Sequence, residues 1–384
     1  MHNCIYLDNA ATTRLDPKVL EAMLPFLSEH YGNPSSTYSL GRTARMAVES
    51  ARRSVAQNLG VKPSSICFTS GGTESNNTAI AAAVRDLGCT CIITSPIEHH
   101  AVIRTVEFYK EQFNLPVFHV SLTNDGLIDY DDLEEKLQSL AGQGYKCLVT
   151  LMHANNEIGS LLDIQHVGAL CQAYKAIFHS DCVQTVGHYP LQLDDTGVHF
   201  VSGAGHKFHG PKGTGILYVH PSVKIKPFIH GGGQERGARA GTENVYGIVG
   251  FARALELAMD HYVHDAEYVG SLKAYMKERI REAIPGVGFN GPENSLYTVL
   301  SVCFPKTSQS EMLLLSLDMA GICVSGGSAC SSGGGGSHVI RALQKEKDWT
   351  SIRFSFSKHN TGEEVDRVVD VIRSALEVRE HLPA

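Results

Sequence analysis

Short apolar runs alternate with amphipathic stretches along the first two-thirds of the chain. Strands are predicted at Ser65–Thr69, Cys91–Ser95, Val117–Ser121, Cys147–Leu151, Ile177–His179, Phe200–Ser202 and Ile216–Val219. Between them, Ala44, Val48, Ala51, Val55 and Leu59 recur at helical spacing, and the stretch stops at Gly60. A second such stretch runs from about Ser75 to Leu87 and stops at Gly88, and a third covers about Ile164 to Ala176. Strands alternating with helices imply an α/β fold whose mostly parallel sheet is covered on both faces. Ligands in such folds collect at the carboxyl ends of the strands.

The order changes past Gly241. Val245, Ile248, Val249, Ala252, Leu255 and Ala258 mark a long helix that bridges to a second unit. From about 265 the pattern reads helix, strand (Leu296–Phe304), helix (Gln309–Met319), strand (Ser351–Phe356) and a final helix (Glu363–Glu377), a smaller α+β arrangement. A length of 384 residues suits one large and one smaller domain. We assign 14–260 to the large domain, and 1–13 with 261–384 to the small one.

Hydrophobic content of 43% and charged content of 19% describe a folded protein, and the net charge of −7 argues against nucleic acid or an anionic membrane as main partner. No apolar run approaches a membrane span, and no basic-then-apolar leader opens the sequence, so a cytoplasmic location is expected. Most of the 10 cysteines sit in apolar patterns and read as reduced core thiols. Cys89 and Cys91 lack a second pair at zinc-ribbon spacing, and the 19 histidines show no metal-ligand pattern, so no metal is expected.

The chemistry concentrates in a few places. Ser70-Gly71-Gly72-Thr73-Glu74-Ser75-Asn76 follows a strand and opens a helix, where free N–H groups, the positive dipole end and the Thr73 hydroxyl suit a phosphate. Asp181 and Lys207 each lie just past a predicted strand end. An amine there forms a Schiff base with an aldehyde, and a carboxylate keeps a pyridine nitrogen protonated, so the three features together fit pyridoxal phosphate. The remaining unusual segment is 325–337, in which eleven of thirteen residues are Gly or Ser and the reactive side chain is Cys330. Such a segment is expected to be a mobile tether for a thiol that collects a group in one place and delivers it in another.

Leu7-Asp8-Asn9-Ala10-Ala11-Thr12-Thr13, Gly32-Asn33-Pro34-Ser35-Ser36, Thr69 to Asn77, Asn155-Asn156-Glu157-Ile158-Gly159, Gly205 to Gly213 and Gly231 to Asn244 resemble the cysteine desulfurases of the NifS/IscS-like group. These are class V, pyridoxal phosphate-dependent enzymes with an aspartate aminotransferase-like, type I fold. The resemblance covers nearly the whole chain. It implies that Lys207 carries the cofactor, Asp181 pairs with the pyridinium nitrogen, and Gln184 and Asn155 bond the ring's phenolic oxygen. His99 would stack on the ring and move protons. Gly72, Thr73 and His206 would hold the phosphate, and Thr242 would reach the phosphate of the other subunit in a homodimer. Arg353 would clamp the carboxylate of L-cysteine, with Asn155 beside it. Cys330 would take the sulfur as a persulfide and pass it to an acceptor protein, such as an iron–sulfur scaffold, or toward tRNA thiolation.

The sequence departs from that pattern at Ala204, where a phosphate-binding serine is usual, at Tyr38, where a histidine is usual, and at four consecutive glycines, Gly333 to Gly336. Competing readings are a selenocysteine lyase on the same scaffold, an aminotransferase and a non-catalytic scaffold protein. The combination of Lys207, Asp181 and Cys330 favours the desulfurase.

Overall fold

The computed structural model describes residues 4–326, 336–345 and 347–377; Cys330 and most of the Gly/Ser segment lie outside the described residues. The strands are β1 (Ile5–Tyr6), β2 (Ile66–Thr69), β3 (Cys91–Thr94), β4 (Val117–His119), β5 (Cys147–Thr150), β6 (Ile177–Asp181), β7 (Phe200–Ala204), β8 (Gly215–Val219), β9 (Gly288–Asn290), β10 (Val299–Pro305), β11 (Ile322–Cys323) and β12 (Trp349–Ser355).

A seven-stranded sheet runs in the order β2-β8-β7-β6-β5-β3-β4. Its neighbours are parallel from β7 to β4, while β8 is antiparallel to both β7 and β2. β3, β5 and β6 are buried at every position because both faces are covered. Alternate residues divide between two cores. Ile93, Val149 and Phe178 join the helices 39–58 and 245–260 on one face, whereas Ile92, Leu148 and Ile177 meet the helices 72–85 and 100–113 on the other. Each such side chain contributes about 1.5–3 kcal/mol by leaving water. The helix Ser39–Asn58 buries Ala44, Val48, Ala51 and Val55, the stripe seen in the sequence. The helix Gly72–Arg85 buries the run Ala79–Val84 on all sides, and its small residues let it lie close to the sheet.

A separate core gathers Ile5 and Leu7 with residues beyond 260, including Met276, Ile280, Leu313, Phe354 and Val368. Here β10 lies between β12 and β9 in an antiparallel sheet, and β1 pairs with β11 in parallel. The helices Tyr262–Ala283, Ser308–Met319 and Gly362–Glu377 pack on it.

Several boundaries move from the sequence expectation. β6 and β7 each run two residues further, so Asp181 is the last residue of its strand rather than a residue just past its end. Ser180 and Ala204 are buried by neighbouring strands, and the ladder continues through them despite their low hydrophobicity. The strand expected at Leu296–Phe304 begins at Val299, because Leu296 N–H bonds Gly159 O and turns the chain into the sheet.

Candidate functional site

Parallel strands put the ends of β2, β3, β5, β6 and β7 on one edge of the sheet, and the expected chemistry converges there. A cavity of about 280 Å³ is lined by Ala10, Gly72, Thr73, Asn76, His99, Asn156, Asp181, Gln184, His206, Lys207 and Arg353, among others. Next to it Ser70, Gly71, Gly72, Thr73, His206 and Lys212 line a more open recess.

The recess is shaped for an anion. Gly71, at φ 150, turns the chain into the helix Gly72–Arg85 and makes no side-chain cap, so the first-turn N–H groups face the opening. A Cβ on Gly72 would stand 2.5 Å from Val183 Cγ2, so only glycine fits there. The first-turn carboxylate, Glu74, is turned away into bonds with Ser70 N–H and Arg239. Thr73 lies exposed at the mouth.

Asp181 is 5% exposed. Its Oδ2 accepts from Asn76 Nδ2 at 2.7 Å and its Oδ1 from Val183 N–H at 3.0 Å, which fixes the carboxylate rotamer. Lys207 ends the 3-10 turn Gly205–Lys207 that follows β7, and its Nζ donates to Ala10 O at 2.6 Å and Ala11 O at 2.9 Å. Those carbonyls belong to the segment leaving β1. Beneath Lys207, His188 Nε2–H donates to the Lys207 carbonyl, and its Nδ1 accepts from Tyr297 Oη–H. Burial lowers the His188 pKa to about 4, which keeps the ring neutral for this role.

His99 caps the helix His100–Phe113. Its Nδ1 accepts from Ala101 N–H at 3.1 Å, so the neutral ring carries its proton on Nε2. Burial lowers its pKa as well, outweighing the attraction of Asp181. Toward the cavity His99 is therefore a donor. Glu98, 1% exposed, accepts from Ser95 and Met152 on Oε1, while Oε2 has no partner. Burial first, and Asp181 second, push Glu98 up to about 8, so it is a neutral acid at pH 7.

Gln184 lines the cavity with Nε2 bonded to Ala10 O. His206 bonds Thr12 Oγ1 through Nδ1, and burial brings its pKa to about 4. Asn155 is fully buried and, unlike its neighbours Met152 and Asn156, does not line the cavity. Its Oδ1 accepts from Glu157 and Ile158 N–H, and its Nδ2 donates to Ile97 O and rests 3.5 Å from Met152 Sδ, a weak acceptor. Arg353 enters from the small lobe on β12. It is 3% exposed, with Nη1 bonded to Asn156 O and Nη2 to Asp8 Oδ1 at 2.6 Å, while Nε has no partner. Thr242 lines neither cavity of its own chain and lies exposed in the 231–244 loop. At position 204 a methyl group lines the main cavity, 3.8 Å from where a Cβ on Gly72 would stand.

Sequence reasoning missed Asn76, Asp8, Glu98 and His188. Asn76 stands one helical turn beyond Gly72, which was a signal within reach. The others act through contacts between distant segments.

The donor set fits pyridoxal phosphate on geometry alone: an uncapped helix start with a glycine cradle, a fixed buried carboxylate opposite, and a lysine between them. The chain matches the class-V aminotransferase family over residues 5–368. A cysteine desulfurase IscS of Dictyoglomus turgidum is 42% identical, covering 97% of this chain and 94% of that one. A putative cysteine desulfurase IscS 1 of Bacillus subtilis is 42% identical over 96% and 98% of the two chains. Among solved structures, a NifS-like protein has a TM-score of 0.88 at 38% identity, covering 97% of this chain and 99% of that one. The SspA structure in complex with cysteine has a TM-score of 0.80 at 31% identity, covering 93% and 100%.

Proposed function

The chain belongs to the cysteine desulfurases of the class-V aminotransferase family, and on that premise we propose that it converts L-cysteine to L-alanine with pyridoxal phosphate and carries the sulfur away as a persulfide on Cys330. The observation that supports this most directly is the convergence of Asp181, Lys207 and Arg353, from three strands and both lobes, on one cavity beside an uncapped helix start. The fold is the aspartate aminotransferase-like type I fold.

Pyridoxal phosphate, when bound, supplies an electron sink for the substrate Cα. The chain's residues supply the rest. The helix start at Gly72, with Thr73 and His206, receives the phosphate. Asp181, held by Asn76 and Val183, keeps a proton on the pyridine nitrogen. Gln184, and Asn155 through the N–H now on Met152 Sδ, donate toward the ring oxygen. Arg353 takes the substrate carboxylate as a charge-assisted pair, drawing on its unpartnered Nε. Lys207 removes the Cα proton and returns it to the alanine. The Cys330 thiolate attacks the substrate sulfur, so an S–S bond forms as the C–S bond breaks. His99, with its proton on Nε2, donates to the charge that develops near the ring.

The persulfide then passes by thiol exchange to an acceptor protein of iron–sulfur assembly or tRNA thiolation in the cytoplasm. No helix among the described residues is long and apolar enough to cross a membrane. A homodimer belongs to the same proposal: Leu20, Leu24, Leu27 and Met46 expose apolar surface on the first two helices, and Thr242 stands clear of its own site. The test is alanine formation from L-cysteine with a reducing thiol, wild type beside Cys330→Ser. Alanine lost in the variant supports the persulfide route. Equal alanine from both removes Cys330 from the reaction, and none from either, with cofactor bound, removes cysteine as the substrate.

A further inference from the structure

Two thiol pairs lie close across parallel strands. Cys91 and Cys147 are in register on β3 and β5 with sulfurs 3.0 Å apart, and both are buried. Cys4 and Cys323 have sulfurs 3.2 Å apart, with Cys4 exposed and Cys323 half-buried. The other described cysteines are all buried.

The second pair follows from the two-stranded ladder of the small lobe. β1 pairs with β11 so that Ile5 meets Ile322 and Tyr6 meets Cys323. Side chains alternate along each strand, so Ile5 and Ile322 turn into the core and Cys4 and Cys323 turn outward. Ile5 N–H bonds Gly321 O, which sets Cys4 beside a residue with no side chain. The space that a side chain at 321 would fill is open, so nothing there stands between the Cys4–Cys323 pair and its surroundings. Cys4 precedes the first registered residue, so its backbone is free to close the remaining gap to a bond of about 2.05 Å.

We propose that Cys4 and Cys323 are a redox-active dithiol that hydrogen peroxide converts to a disulfide, joining the first strand to the strand that leads toward Cys330. The exposed Cys4 attacks the O–O bond as thiolate, giving a sulfenic acid and water. The Cys323 thiol then attacks that sulfur, the S–O bond breaks, and a second water leaves. Two thiols lose two electrons and two protons, and one peroxide becomes two waters. Burial, and then Cys4 itself, push the Cys323 thiol up to about 11, which makes it the resolving partner. Neither cysteine lines the catalytic cavity. An external dithiol reverses the bond.

The experiment treats the holoenzyme with one equivalent of hydrogen peroxide, alkylates free thiols and maps the digest. Tryptic cleavage places Cys4 in 1–14 and Cys323 in 307–341, a peptide that also holds Cys330, so the Cys330→Ser variant is run alongside. The expected result is a dithiol-reversible 4–323 link in both proteins, with Cys91 and Cys147 still thiols. Cys323→Ser should instead accumulate a Cys4 sulfenic acid that a dimedone probe traps about tenfold more than in wild type. Cys4→Ser should keep its alanine formation. Separate alkylation of Cys4 and Cys323 after oxidation, a link from either to another cysteine, or a link that vanishes in Cys330→Ser would overturn the proposal.

Discussion

Acid should unfold this protein through its buried histidines, and His179 isolates the effect. The ring is fully buried on β6 between Thr150 and Ser202, bonding Thr150 Oγ1 at 2.8 Å and Ser202 Oγ at 3.2 Å. Burial lowers its pKa to about 4, against about 6.5 unfolded. With the folded value depressed, the unfolded state binds the extra proton, so the stability present above pH 6.5 is lost as pH falls toward 4. Between pH 7 and pH 5 one such site costs about 2 kcal/mol. His153 and His188 carry similar depressions from burial. The three together cost about 5–6 kcal/mol over that window, within reach of the whole stability of an ordinary domain, about 5–15 kcal/mol. In His179→Gln, urea unfolding followed by far-UV circular dichroism should show a loss between pH 7 and pH 5 that is about 2 kcal/mol smaller than in wild type. Equal losses in the two proteins would refute the assignment of a proton-free buried ring at 179.

Other outcomes follow from single contacts. Glu235 sits in a left-handed conformation (φ 46), buried and bonded to both terminal nitrogens of Arg52 and to Phe68 N–H. Glu235→Ala leaves the buried Arg52 charge with Glu49 as its one remaining carboxylate and should cost about 3 kcal/mol, about 4 °C for a chain of this length, whereas Arg52→Met with Glu235→Met should recover most of it; a calorimetric shift below 1 °C in the single variant would contradict this. Arg353→Lys removes the planar fork and should raise KM for cysteine about tenfold or more with a smaller change in kcat; an unchanged KM would show that the carboxylate binds elsewhere. Gly72→Ala forces a Cβ against the branched Val183 side chain and should weaken cofactor retention severalfold on dialysis, read from the visible absorbance.

The sheet, and many of the residues that line the cavity, were legible in the sequence for a physical reason. β3, β5 and β6 are covered on both faces and open on apolar runs, while Gly71 is required by its φ of 150° and Gly72 by the close approach of Val183. Strand ends were less visible, because Ser180 and Ala204 are buried by neighbours rather than by their own hydrophobicity. The reversed direction of β8 left no trace in its composition. Protonation states were also hidden: Glu98 is an unremarkable acid in a string of letters, and its pKa is pushed up to about 8 because the fold closes over it and sets it near Asp181, against the opposing hydrogen bonds from Ser95 and Met152.

The least legible contact is the one that joins the lobes at the cavity. Arg353 lies 345 residues from Asp8 in sequence, and its other partner is the carbonyl of Asn156 in the loop that follows β5. A buried guanidinium is stable only when its charge is answered, and Asp8 answers it here. The same carbonyl-rich segment that places Asp8 also offers Ala10 O and Ala11 O to Lys207. The short run from β1 to Thr13 therefore positions both Arg353, the residue proposed to bind the substrate's acid group, and Lys207, the one proposed to work on its Cα. A slip of β1 against β11 would displace Asp8 and these carbonyls together, and Arg353 and Lys207 would lose their partners in the same event.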